Sequence, residues 1–277
     1  MKKLLLASAV ASALAAPTAV LAQAKSPHTV TGNMSLVSDY RFRGISQTYE
    51  KAALQGGIDY SHANGLYLGT WGSSVSGLSY NNGSGLELDL YGGYKFAAGP
   101  VTLDLGALYY MYPGAYYSGF GPAKPKYNNT ELYIGATWEW LSAKYSVTTS
   151  DFFGVNKTTY GGGCGITASG AAIACTNPLS TTANSKGSSY IDLTGTFPIA
   201  KDLNLVAHYG KQTVKNFNQL GYSDYKLGLT YDALGFTFGA AYISTNAKEQ
   251  FYRVTQNVGN PRDISDSTVV ISVAKTF

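Results

Sequence analysis

The chain has 277 residues and a formal charge of +4, with charged residues at only 13%. So balanced a charge, with no clustered basic face, argues against a nucleic-acid partner. Tyr (23) and Gly (32) are abundant and Cys is limited to two, a composition that fits a soluble β-domain or an outer-membrane barrel.

The first 22 residues, MKKLLLASAVASALAAPTAVLA, read as a secretory signal peptide. Lys2 and Lys3 form a basic n-region, Leu4 to Leu14 a short apolar core, and small residues lead up to Ala22. The apolar run is too short for a spanning helix and is interrupted by Ser8, Ser12 and Pro17. Cleavage after Ala22 and after Ala24 are both open. Loss of the leader removes two of the 20 basic residues and no acid, leaving 18 against 16. Residues 23–277 then form one domain.

Period-two alternation predicts twelve strands, at about 30–43, 53–60, 66–73, 85–96, 101–111, 130–140, 143–151, 189–197, 203–212, 224–231, 236–245 and 267–277. Their lengths suit the ~9–11 residues of a tilted membrane strand. In the first, SDYRFRGISQ (Ser38 to Gln47) sets Asp39, Arg41 and Arg43 on one face and Tyr40 and Phe42 on the other. The expectation is that Tyr40 and Phe42 face lipid and the charges face the lumen. The third, LYLGTWGS, is ambiguous: either Leu66 and Leu68 or Tyr67 and Trp71 point outward. The fourth sets Leu86, Leu88, Leu90, Tyr94 and Phe96 against Glu87, Asp89, Tyr91, Gly93 and Lys95. The fifth and sixth alternate in the same way.

Connections between these strands alternate short and long. SHANG, AAGP, a break near Leu141 and Ser142, PIAKD and DALG are the tight ones. Strict alternation is expected of periplasmic turns and extracellular loops, with both termini on the periplasmic side. A soluble sandwich has no reason to alternate its loop lengths. The fold predicted is therefore all-β, a transmembrane antiparallel up-and-down β-barrel of twelve strands.

VTGNMSLVSDYRFRGISQT, LQGGIDYSHANGLYLGTWGSSV and LELDLYGGYKF resemble the TorF-type porins of proteobacteria over about the first 70 residues of the mature chain. That resemblance implies an outer-membrane barrel and carries over no substrate and no binding residue. The last strand, TVVISVAKTF, ends on Phe277 in register with Val269, Ile271 and Val273, and is similar to the assembly signal that barrel assembly machinery reads. Lys275 departs from that pattern, and its ammonium could snorkel at the headgroup boundary.

Cys164 and Cys175 lie in an outer loop at about 152–188, in a spacing that is not a zinc pattern. A disulfide clipping that loop is expected, worth about 3 kcal/mol in the chain-entropy model. Of His28, His62 and His208, only His208 points into the lumen, and no local pairing gives it a nucleophile. The reading therefore assigns no catalysis, metal or cofactor.

Alternation places Asp39, Asp59, Glu87, Asp89, Asp104, Glu131, Glu139 and Asp192 inside, with Arg41, Arg43, Lys95, Lys144, His208 and Lys226. Eight acids against five permanent bases lean toward cations. Tyr112, Tyr116, Tyr117, Phe120 and Tyr127 crowd the third outer loop, to stack on a sugar ring or simply to pack. Eight strands leave an interior just filled and sixteen a wide channel, so twelve predicts a narrow pore for small hydrophilic solutes. The rivals are a plugged barrel acting as a surface scaffold through its long loops, and a lipid-modifying barrel enzyme with His208 as base.

Overall fold

The computed structural model describes residues 26–79, 84–117, 124–160, 165–173, 183–255 and 261–277. In chain order the first strands are β1 (His28–Val37), β2 (Arg41–Phe42), β3 (Ile45–Ser46), β4 (Ala53–His62), β5 (Leu66–Ser74) and β6 (Leu86–Ala98). They are followed by β7 (Val101–Met111), β8 (Asn129–Trp138), β9 (Leu141–Thr148), β10 (Ser189–Ala200) and β11 (Leu203–Thr213). The last are β12 (Tyr222–Ala233), β13 (Phe236–Thr245), β14 (Arg253–Thr255), β15 (Pro261–Asp263) and β16 (Thr268–Thr276). Twelve of them close into one barrel in the order β1-β16-β13-β12-β11-β10-β9-β8-β7-β6-β5-β4, and every neighbour is antiparallel. The strands β2–β3 and β14–β15 form two small hairpins outside the barrel wall.

Closure is made at the chain ends. β1 pairs with β4 from His28↔His62 to Val37↔Ala53, and with β16 from Asn33↔Thr276 to Val37↔Ser272. The Gly32 N–H donates to the Phe277 carbonyl at 2.7 Å and the Phe277 N–H returns to Gly32 at 2.9 Å. The Phe277 ring lies over Gly32, where a Cβ would sit 2.6 Å from it, so any larger residue there would make the ring shift.

The outer face is apolar. Val30, Met34, Leu54, Ile58, Leu90, Leu132, Ile134, Leu227 and Ile271 are all exposed. Such a surface is unsustainable in water and suits hydrocarbon. Phe96, Trp138, Trp140, Tyr231, Phe236 and Phe277 form an outward aromatic belt at the short-turn end, as expected of a membrane interface. Lys275 is exposed in that belt with its ammonium 4.9 Å from the Phe236 ring centre. β5 resolves its own ambiguity: Leu68 is 63% exposed and Trp71 only 5%. Among the described residues no helix is long and apolar enough to cross a membrane.

The abundance of Tyr and Gly has one source inside the barrel. Tyr91 lies directly across from Gly69, and Tyr133 directly across from Gly106. Each ring occupies the space that a side chain on its glycine would need. Tyrosines can thereby lie flat along the inner wall of a narrow barrel.

Two strand predictions need correction. The first strand stops at Val37, well short of Arg43, and Tyr40 and Phe42 do not face lipid. Arg43 and Gly44 both have positive φ (49° and 83°), making a two-residue turn between Phe42↔Ile45 of a hairpin. Positive φ at both central positions is the type I′ signature, whose twist matches the flanking strands. The Asp39 carboxylate accepts from Ser46 Oγ (2.6 Å), Thr48 Oγ1 (2.9 Å) and Arg41 Nε (2.5 Å), tying segment 38–50 into a compact unit. That unit folds into the barrel mouth rather than continuing the wall. The tight break also falls at Glu139 and Trp140 rather than near Leu141 and Ser142.

The long-loop end is packed with aromatic side chains. Tyr40, Trp71, Leu108, Tyr110, Tyr112, Tyr117 and Tyr127 are buried together, with Phe42 and Phe153 against them. Tyr117 and Tyr127 stack at 4.1 Å. Tyr112, Tyr117 and Tyr127 are therefore packing residues, while Phe120 lies outside the described residues. A second cluster joins Val155, Val214, Phe217 and Leu220, and a third joins Ile45, Tyr49, Tyr222 and Ile264. Tyr252, in the loop above β13, donates to the Leu220 carbonyl at 2.6 Å, and burial pushes its phenol well above its ordinary value.

Candidate functional site: the charged lumen

The tip of the inward hairpin carries Arg43 across the lumen. Its Nη2 donates to both Glu131 oxygens (2.9 and 2.7 Å) and its Nη1 to Gln212 Oε1 (2.7 Å). The guanidinium also lies 4.2 Å from the Tyr190 ring centre and 4.7 Å from that of Phe42. One side chain therefore links β8, β10 and β11. With Nη2 shared between both Glu131 oxygens and Nη1 on Gln212, the guanidinium and the carboxylate each have a partner, where either charge buried alone would be costly.

Asp39 and Arg41 sit at the base of the same segment and serve it. Arg41 Nη1 donates to the carbonyls of Gly44 (3.2 Å), Ile264 (3.1 Å) and Asp266 (2.8 Å), pinning the segment to the loop before β16. Tyr40 donates to Glu87 Oε1 at 3.1 Å and meets Trp71 edge-on at 5.5 Å. Phe42 meets Tyr110 and Phe153 edge-on at 5.5 and 5.6 Å.

Around this segment the wall of β4–β8 is acidic and tyrosine-rich. Asp59 accepts from Tyr91 (2.5 Å) and Asn33 (3.3 Å). Asp104 accepts from Tyr67 (2.6 Å) and lies 4.0 Å from Lys95, whose ammonium sits 4.7 Å from the Tyr67 ring centre. Tyr67 and Tyr133 share a further short hydroxyl contact. Asp89 is fully buried, directly across from Trp71 and Tyr110, and among the described residues neither of its oxygens has a hydrogen-bond partner.

The opposite wall, β9–β12, carries the bases. His208 Nε2 lies 3.0 Å from Asp224 and 3.2 Å from the Tyr190 hydroxyl. Its Nδ1 lies 2.9 Å from Thr194 Oγ1 and 3.5 Å from Asp192. Both ring nitrogens are thus engaged by carboxylates, Thr194 and Tyr190. Lys144 and Lys226 extend into the same space from β9 and β12.

Below Arg43 a cavity of about 400 Å³ reaches toward the short-turn end. Asp39, Arg43, Asp104, Lys144, Asp192, His208 and Lys226 all border it. Glu139 departs from its expected place: it is exposed in the two-residue turn at the cavity's lower rim, with φ 49°. Cys164 and Cys175 lie outside the described residues. Sequence alternation missed Tyr190, Gln212 and Asp224, although each shares strand parity with a residue it did select (Asp192, His208 and Lys226).

A closed twelve-strand barrel, apolar outside and charged within, is a transmembrane β-barrel of the outer-membrane type. The chain belongs to the family described as a bacterial protein of unknown function (Gcw_chp), whose model matches residues 21–277. No curated protein matches it. Among solved structures it is similar to a KdgM porin in complex with disordered oligogalacturonate, at 10% identity and TM-score 0.46, covering 90% of this chain and 99% of that one. It is also similar to the NanC porin, at 11% identity and TM-score 0.47, covering 90% and 98%. A third is an outer-membrane channel from Pseudomonas putida F1, at 10% identity and TM-score 0.43, covering 92% and 97%.

Proposed function

We propose that the protein is exported by residues 1–22, is inserted by barrel assembly machinery that reads the strand ending in Phe277, and sits in the bacterial outer membrane. There it passes small hydrophilic solutes through a narrow lumen whose constriction is segment 38–50. The TorF-type resemblance agrees with this reading, and a disulfide between Cys164 and Cys175 belongs to it. One observation carries it: Arg43 spans the lumen onto Glu131 and Gln212 directly above a cavity of about 400 Å³ bordered by Lys144, Asp192, His208 and Lys226. Paired charges at a constriction set a field for a passing solute without closing the lower lumen. Passage is completed when the Arg43 contacts give way.

The aromatic packing across the long-loop end favours a second reading, a plugged barrel that presents its loops as a scaffold. Conductance of the purified protein in planar bilayers separates the two. Small discrete current steps are expected of the channel. Sustained insertion without current would establish the plug.

A further inference from the structure

Counting inward charges and pairing them give opposite answers for the cavity below Arg43. By number the acids lead. By pairing, the acids that border the cavity above the exposed rim residue Glu139 are engaged: Asp39 is held by Arg41, Ser46 and Thr48, and Asp104 by Tyr67 with Lys95 nearby. Asp224 accepts from Tyr190 at 2.9 Å and faces His208, while Asp192 accepts from Thr194 at 2.8 Å and faces His208 from the other side.

Lys144 and Lys226 differ. Among the described residues no hydrogen bond reaches either ammonium, and no carboxylate comes within 4.0 Å of one. The Tyr133 ring centre lies 5.3 Å from the Lys144 ammonium. Asp192 stands directly across from Lys144, but its Oδ1 accepts from Thr194 and faces His208, and the carboxylate stays more than 4.0 Å from the ammonium. An ammonium brings three donors and no acceptor, so the two lysines together present cationic donors to one space.

We propose that this cavity is a subsite for a small organic anion, with its carboxylate on Lys144 or Lys226. About 400 Å³ falls within the ~300–1,000 Å³ of small-molecule sites. The assignment rests on the channel reading and names the charge of its solute. It reverses the cation preference that the number of acids implied.

Gluconate serves as the test ligand, with the intact barrel in planar bilayers under a potassium chloride gradient. The wild type is expected to be anion-selective, and gluconate is expected to reduce its chloride current. In the Lys144→Gln/Lys226→Gln double variant, block should need about tenfold more gluconate, the loss expected for one charge-assisted contact. Heat-modifiable gel migration checks that the variant is folded. A cation-selective wild type, or equal block of both proteins, overturns the subsite. Absence of current in both sinks the channel reading alone, and calorimetric titration with gluconate then decides the subsite. Binding by the wild type that is lost in the variant supports it; equal binding, or none, overturns it.

Discussion

The two halves of the barrel interior use the same residue types differently. Toward the long loops, Arg43 and Glu131 are buried against each other and walled by Tyr110, Tyr190 and Phe42. Toward the short turns, Lys144 and Lys226 border a cavity, and among the described residues no carboxylate comes within 4.0 Å of either ammonium. What separates the halves is the hairpin of segment 38–50, which brings a charge of its own into one half and leaves the other empty. The field of a narrow lumen therefore follows from which charges lack partners, and the number of each sign is a poor guide to it.

If the upper half is dry, Glu131→Ala should be the most damaging change, because it leaves the Arg43 guanidinium buried and uncompensated. A loss of about 3–5 kcal/mol is expected, read from the urea midpoint of the folded barrel in detergent or vesicles. A loss below ~1 kcal/mol would mean that water already reaches Arg43, and the contrast between the halves would fail.

Gly106→Val comes next. The valine would meet the Tyr133 ring, and overpacking of about 1–3 kcal/mol is expected in the same unfolding assay. Tyr40→Phe removes the donor to Glu87 and should cost about 1 kcal/mol. No change there would detach the inward segment from the acidic wall. Lys144→Gln lies in the open half and should alter stability by no more than ~0.5 kcal/mol. A loss as large as that of Glu131→Ala would erase the distinction.

Much of the barrel was legible because its wall has to alternate. Leu90 meets lipid and Asp89 the interior only if the period is two, and a one-residue slip would exchange them. The inward segment hid for the same reason. Asp39, Tyr40, Arg41, Phe42 and Arg43 alternate as cleanly as a wall strand, yet Asp39 reaches forward to Ser46 and Thr48, and Arg43-Gly44 turns the chain. The sequence cue was Gly44 after Arg43, a weaker I′ signal than Asn-Gly or Asp-Gly. Glu139 was misplaced by a two-residue shift in the turn that carries it. Within the candidate site, alternation could tell which charges point inward, as with Lys144, Asp192 and His208. It could not tell which of them pair, because partners such as Asp224 come from other strands.

Single-channel conductance of the wild type and of Arg43→Ala, measured side by side in planar bilayers, tests the constriction most directly. The variant removes the contacts to Glu131 and Gln212, and its current steps are expected to exceed those of the wild type by about twofold or more. Identical steps in the two proteins would contradict the account.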